Sequence, residues 1–242
     1  MFGKRLNTPE RIDTGDYTPE EYETFLREIA FINRYVGDGR ALKKSLLHEI
    51  EQRDLSEFSV LDVGCGSGEL LRIIAEFAAK TGRKASLTGI DLNPISSATT
   101  RNESRKFPEI VSVRADALKL PFRDGAFDYA ISSLFFHHLT DEQIVTVLKE
   151  MSRVARRGIL VIDLHRHPIA YLAYKIFCMA FRISPLVRHD GALSVRKGFR
   201  NSEFEHLSKA AGLGNVRVQH VCPGRLVLTN AVEQQTATIA SQ

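Results

Sequence analysis

Cysteine is scarce in this chain, and the three that occur, Cys65, Cys178 and Cys222, are spread widely through its 242 residues. No C-x-x-C pair and no metal-ligand spacing is present, which excludes a disulfide framework and a cysteine zinc site. The thiols read as reduced, in a cytoplasmic protein, and no metal is expected. The N-terminal stretch "MFGKRLNTPERIDTGDYTPEE" has no apolar run and does not read as a signal peptide. Charge of one sign is in small excess only, 33 Lys and Arg against 29 Asp and Glu, so composition gives no footprint for nucleic acid. Internal repeats and low-complexity tracts are missing too. What remains, 43% hydrophobic and 26% charged residues, is the material of a folded domain with an ample core.

Residues 1–17 are polar and read as an arm. In "TPEE", Thr18 is placed as N-cap, Pro19 as first helical residue and Glu21 as capping-box acid. Tyr22, Phe25, Leu26, Ile29, Ile32 and Val36 follow at helical spacing until "GDG" at 37–39, and Leu42, Leu46, Leu47 and Ile50 mark a second helix. From residue 58 the period changes. "FSVLDVG", "SLTGIDL", "IVSVRAD", "FDYAISSL" and "GILVIDL" read as strands separated by amphipathic helices. The alternation predicts an α/β, Rossmann-like, mainly parallel sheet with helices on both faces. Thr140 with Gln143, and Ser202 with Glu205, are the expected capping boxes of two later helices, and Asp128 is expected to cap the turn into its strand. "VRVQHV" and "RLVLTN", joined by "CPG", predict an antiparallel hairpin at the sheet edge, for seven strands in all.

The stretch "VLDVGCGSGEL" breaks the first of these strands with Gly64, Gly66 and Gly68. Glycines there allow either a tight turn or a close approach of backbone to a ligand. The spacing is not the dinucleotide pattern G-x-G-x-x-G. Asp62 precedes the loop, Asp91 in "GIDLNP" ends the second strand and Asp116 in "RADALKLPF" ends the third. Three acids at strand tips repel a pyrophosphate and suit a ligand with ribose hydroxyls, an exocyclic amine and a cationic centre.

On these residues the chain resembles the class I S-adenosylmethionine-dependent methyltransferases, in the broad group that includes the ubiquinone and menaquinone-biosynthesis methyltransferases. The resemblance implies S-adenosyl-L-methionine as cofactor and an enzyme that transfers its methyl group. It implies that Gly64, Cys65, Gly66 and Gly68 wrap the methionine part, with Asp62 supporting the loop or the methionine amine. Asp91 would take the ribose hydroxyls with Leu92 beside the adenine, Asp116 and Ala117 would meet the adenine amine, and Ser133 would lie near the methionine. Residues 1–56 are then an arm and helices covering the cofactor, 57–230 the methyltransferase domain with a lid insertion at about 165–200, and 231–242 a tail.

A phenolic or acidic-carbon acceptor needs a base, and histidine is the natural one. His138 of "FFHHL" and His165 of "DLHRHP" are the candidates, with His137 read as structural and His189–Asp190 as a salt-bridged turn. "PIAYLAYKIFCMAFRISPLV", 168–187, is apolar around most of its circumference and reads as a lid, with Phe177 and Phe181 on its inner face. A core helix or dimer contact, and peripheral contact with a membrane surface, are the other readings of this segment. The wider pattern resembles bacterial methyltransferases encoded beside type III polyketide synthases, which implies a hydrophobic small-molecule acceptor. The expectation is O-methylation of a phenol; C-methylation of a prenylated quinol and a non-catalytic cofactor-binding protein are the rivals. Nucleic acid is not an expected partner, since "SSLF" stands where an N-P-P-Y-type tetrad would be.

Overall fold

The computed structural model describes residues 2–231, with the side chains of 34–36 and 231 outside that description. The expected tail thus lies beyond the described residues from 232 onward, as does the side chain of Val36. Seven strands form one sheet in the order β3-β2-β1-β4-β5-β7-β6. They are β1 (Glu57–Val63), β2 (Lys84–Asp91), β3 (Ile110–Arg114), β4 (Phe127–Ser133), β5 (Ala155–Leu164), β6 (Val216–Val221) and β7 (Arg225–Ala231). The first five are mutually parallel; β7 runs antiparallel to both β5 and β6.

Side chains on a strand point to alternate faces. On one face Leu61, Ala130 and Val161 pack against α7 (Asp141–Val154) and α10 (Asn201–Ala210) through Ile144, Leu148 and Phe204. On the other, Val60, Ile131 and Ile162 meet Leu71 and Ile74 of α5 (Glu69–Thr81). Burial on both faces explains why the central strands read as continuous apolar runs rather than alternating ones. β2 leads through α6 (Pro94–Glu103) to β3. The strand order reverses between β1 and β4, the place where parallel α/β sheets open a crevice at the carboxyl ends of their strands.

Three further layers close that crevice. The helix α2 (Pro19–Val36) starts with the expected Thr18–Glu21 capping box. Gly37 interrupts it in the left-handed region, and the chain re-enters helix at once through α3 (Asp38–Leu42), a π turn at Lys43–Leu47 and α4 (His48–Gln52). The segment 168–187 is not one helix: α8 (Pro168–Ala180) stops at Phe181–Ile183, Arg182 turns to φ +51, and Ser184 caps a new helix, α9 (Pro185–Lys197). Phe25, Leu26 and Ile32 of α2 pack there with Cys178, Ile183 and Val187.

The N-terminal arm is docked rather than loose. Arg166, only 1% exposed, donates to the carbonyls of Phe2 and Gly198 and to Glu203, while Leu6 N–H meets the Arg196 carbonyl. Arm residues Arg11–Thr14 then form a single turn, α1. Three smaller expectations are corrected. α10 is capped at Arg200 with Glu203 as its box acid, not Ser202 with Glu205, because Phe199 N–H and carbonyl are fixed by Leu164 and Arg166 and set where the helix begins. Asp128 sits within β4, accepting from Ser59 and pairing with Arg156 and Arg157, so it ties strands together instead of capping a turn. His189 and Asp190 do pair, at 2.7 Å, but inside α9.

A buried ion pair joins two of these layers: Arg225 at the start of β7 donates through Nε to Asp38 and through Nη2 to Asn33, 3.2 Å away, with Asp38 2% and Arg225 3% exposed. Removing one partner strands the other charge. Asp38→Ala should cost about 2–3 kcal/mol in urea unfolding, below the ~3–5 of a dry pair because cavity water can reach Arg225. The double variant Asp38→Leu/Arg225→Met should cost less than the single one.

Candidate active site

The glycine loop is built by sterics at two positions. Gly64 lies at φ +73, where a Cβ would fall 2.6 Å from the Phe135 ring, and Gly68 at φ +77, where it would fall 2.7 Å from Thr100. Gly66, at φ +54, has nothing within 4 Å on that side. So the first and third glycines let the loop pack tightly, and the middle one leaves open space above its backbone. Cys65 is buried with its thiol pushed well up by burial, and its sulfur lies against Gly89, as a small filler residue would.

The acids converge at the same place. Gly66 N–H donates to Asp91 Oδ2 at 3.0 Å and Asn93 N–H to Oδ1 at 2.8 Å, which aims the Asp91 carboxylate at the loop. Asp62 is 2% exposed, and among the described residues no group donates to its carboxylate. Burial and then the neighbouring Asp91 push Asp62 up to about 7. Neither acid has an ion pair among the described residues, and a buried carboxylate pair of this kind favours a cation from outside. Asp116 and Leu92 are exposed at the rim and Ala117 is buried below them. Ser133 Oγ, at the tip of β4, lies 3.5 Å from Asp38.

Eleven of the twelve candidates from the sequence line one cavity of about 850 Å³; the twelfth, Gly68, packs the turn against Thr100. That volume is near the upper end of the ~300–1,000 Å³ usual for small-molecule sites, enough for two ligands side by side. Its second half is apolar, walled by Phe25, Leu26, Ile29, Phe135, Tyr174 and Phe177. Phe181 does not reach it; this ring is 52% exposed and packs outside against Phe177 and Phe31.

Histidines stand between the two halves. His137 is buried, its Nδ1 2.7 Å from Asp163 and its backbone N–H on the same carboxylate. His138 Nδ1 lies 2.6 Å from Asp13 Oδ1, in α1 of the docked arm. Burial lowers its affinity for a proton, but Glu10 and Asp13 raise it more, so His138 titrates above the ordinary imidazole value. Asp13 in turn is held well below the usual range despite burial, by His138 and Lys197. Glu10, His137 and His138 could bring one ligand atom each within 4.8 Å, but the Lys197 ammonium lies 3.1 Å from Glu10 and 2.9 Å from Asp13 and neutralises the acids. His165 packs edge-on against His220 and near His167, and burial with those neighbours pushes it down to about 4. The two candidate bases therefore differ: His138 keeps a proton readily and His165 scarcely does.

Residues 60–158 match the model of a methyltransferase domain. The chain is 29% identical over 125 residues to the demethylmenaquinone methyltransferase of Bacillus licheniformis, covering 51% of this chain and 52% of that one. It is 39% identical over 170 residues to a sterol 4-C-methyltransferase of Caenorhabditis elegans, 61% of this chain and 47% of the relative. The chain thus spans about half the length of the curated relatives it matches. In structure it is similar to an S-adenosylmethionine-dependent methyltransferase from Aquifex aeolicus, with TM-score 0.63 and 19% identity, over 89% of this chain and 99% of that one. Human N-acetylserotonin methyltransferase, solved with S-adenosylmethionine, has TM-score 0.62 and 18% identity over 88% of this chain and 56% of that one. Residues 60–158 thus match a methyltransferase domain, within a fold similar to that of S-adenosylmethionine-dependent methyltransferases.

S-adenosylmethionine is the ligand of the human N-acetylserotonin methyltransferase structure. The open face over Gly66 and the orphaned carboxylate of Asp62 fit its cationic methionine end. Outside residues 60–158 lie site residues that sequence reasoning missed: Glu10 and Asp13 of the arm, Asp38, Lys197 and Arg225. Asp38 and Arg225 lie in stretches read only as a helix stop and a strand, and each of the five is brought to the site by tertiary contact.

Asp62 also predicts a pH dependence of stability. The unfolded chain releases this proton near ~3.9, the folded one only at about 7. The folded state thus holds the extra proton, and the resulting stabilisation is full below the unfolded value and lost as pH rises through the folded one. In cofactor-free protein, Asp62→Asn should flatten the fall in Tm between about pH 4 and 7, measured by calorimetry against the parent.

Proposed function

We propose that this chain methylates the hydroxyl oxygen of a hydrophobic phenol, with S-adenosylmethionine as donor. The observation that carries the reading is the single cavity with an acidic half and an apolar half, and an imidazole paired to a carboxylate where they meet. When bound, the cofactor supplies an electrophilic methyl on a sulfonium, open to in-line displacement. The chain's own residues would do the rest. Asp91 accepts from the ribose hydroxyls, Leu92, Asp116 and Ala117 flank the adenine, and Gly64, Cys65, Gly66 and Ser133 border the methionine beside Asp62. The helix α2 closes the cavity from above, with Tyr22 Oη 3.0 Å from Ser96. The apolar wall from Phe25 to Phe177 orients the acceptor ring, which contributes through alignment.

His138 is the proposed base. Asp13 fixes Nδ1, and no protein group among the described residues bonds Nε2, which can take the phenolic proton. His165, with its low proton affinity, is better read as an uncharged member of the wall. C-methylation of a quinol is the second reading, favoured by the demethylmenaquinone relatives; it would use the same base on a hydroxyl to make the ring carbon nucleophilic. Labelled cofactor with alkylresorcinols, quinols and lipid extracts, followed by product analysis, separates oxygen from carbon methylation. Cofactor binding without turnover on any of them would leave a non-catalytic binding protein.

Asp91→Ala should weaken cofactor binding by about 2 kcal/mol, roughly thirtyfold, in titration calorimetry on folded protein. Unchanged affinity would remove Asp91 from the site. For the base, the neutral imidazole is the active form, and its acidic neighbours delay its deprotonation. Thus kcat/KM should rise with pH through an inflection above the ordinary ~6.5 of histidine. Asp13→Asn should move that inflection down, and His138→Gln should abolish it with a loss of about 100-fold or more in kcat.

A further inference from the structure

Eight large apolar side chains are exposed among the described residues, and six of them share one place; Leu92 and Val111 are the other two. Ile169, Leu172, Ile176 and Met179 recur at three- and four-residue steps along one face of α8, and Phe31 and Phe181 continue the patch through ring contacts. Exposures of 72%, 59%, 53% and 67% along the helix are those of side chains with no cover. A contiguous apolar face of this kind marks an interaction surface. The opposite face of the same helix, at Ala170, Tyr174 and Phe177, lines the cavity. α8 is therefore a wall one helix thick between the cavity and the outside, and Ala173, both exposed and lining, puts an opening beside the patch.

Charge decides what covers it. From 164 to 189 the sequence holds no Asp or Glu, while Lys175, Arg182 and Arg188 are exposed around the apolar face. The acid that packs nearest from α2, Glu28, is taken up by the N–H and hydroxyl of Ser184. A second copy related by a twofold axis would set these like charges opposite one another with no acid in the segment to meet them. Among the described residues, no helix is long and apolar enough to cross a membrane. An apolar helix face rimmed by cations is what lies flat in the headgroup layer of an anionic bilayer.

We propose that the outer face of α8, with Phe31 and Phe181, docks peripherally on an anionic lipid surface, Lys175, Arg182 and Arg188 meeting the headgroups and the cavity opening turned towards the bilayer. That the opening admits an apolar acceptor from the lipid rests on the function proposed above; the docking itself does not.

The test is co-sedimentation of the full chain with vesicles of phosphatidylcholine alone and of phosphatidylcholine mixed with phosphatidylglycerol. The chain should pellet with the mixed vesicles and largely dissociate when salt is raised from ~0.1 to ~0.5 M. Lys175→Glu/Arg182→Glu should weaken that binding about tenfold or more. Leu172→Ser/Ile176→Ser/Met179→Ser should weaken it by a similar factor. Because all five side chains are exposed, cofactor affinity by calorimetry should stay unchanged in both variants, which certifies the fold. A chain that stays in the supernatant with both compositions overturns the proposal, as does equal binding by parent and variants. Dimers in light scattering that the triple serine variant dissolves would assign the face to a second copy instead. Vesicle binding is read without turnover, so failure of methyl transfer to phenols leaves this result standing, and turnover without vesicle binding sinks the docking alone.

Discussion

Two carboxylates, Asp62 and Asp91, are held at the tips of adjacent parallel strands with no ion pair to either among the described residues, the His138 imidazole only weakly drawing Asp91 down. Their mutual repulsion is the constraint around which the site is arranged. It arises from topology: β1 and β2 run side by side in register, so acids at their carboxyl ends are forced together. The glycine loop then folds back, and one of its amides reaches Asp91. A polar, electron-rich corner results inside a largely apolar cavity, a strong preference for ligands that bring positive charge and hydroxyl donors.

The other half of the cavity is controlled by long-range polar contacts. Lys197 near the end of α9, His138 after β4 and Asp13 in the arm form one charge cluster, and Glu10 joins it from the turn before. Each acid there has an ion-pair partner, whereas Asp62 and Asp91 have none among the described residues. The contrast fits the two tasks proposed for the site: an acidic corner that favours a cationic ligand, and a paired cluster that holds a titratable imidazole in a set orientation.

The sheet was legible because its signals are local. Strand runs, the Gly-rich turn and the boxes at Thr18 and Thr140 are decided by residues within a few positions of one another. The Ser202–Glu205 box failed because a competing constraint, the pairing of Phe199 beside the tip of β5, starts the helix earlier. The break in 168–187 had a readable sign in Ser184–Pro185, an N-cap followed by proline, which the unbroken hydrophobicity masked. That an arm was present could be read, but not where it docks. Its partners are 125 residues away for Asp13 and His138 and 178 for Ile12 and Asp190, and polar residues without periodicity carry no sign of where they dock.

The docked arm has a consequence for how such a protein can diversify. The group that fixes the His138 ring belongs to the arm, and much of the apolar wall belongs to α2, α8 and α9, whereas the glycine loop and its acids lie within 60–158. Changes in the outer segments can therefore reshape what is recognised without disturbing the donor pocket. A chimera exchanging both the arm and the α8–α9 hairpin would carry its specificity with it; exchanging either piece by itself would leave a histidine without its carboxylate or a carboxylate without its lysine.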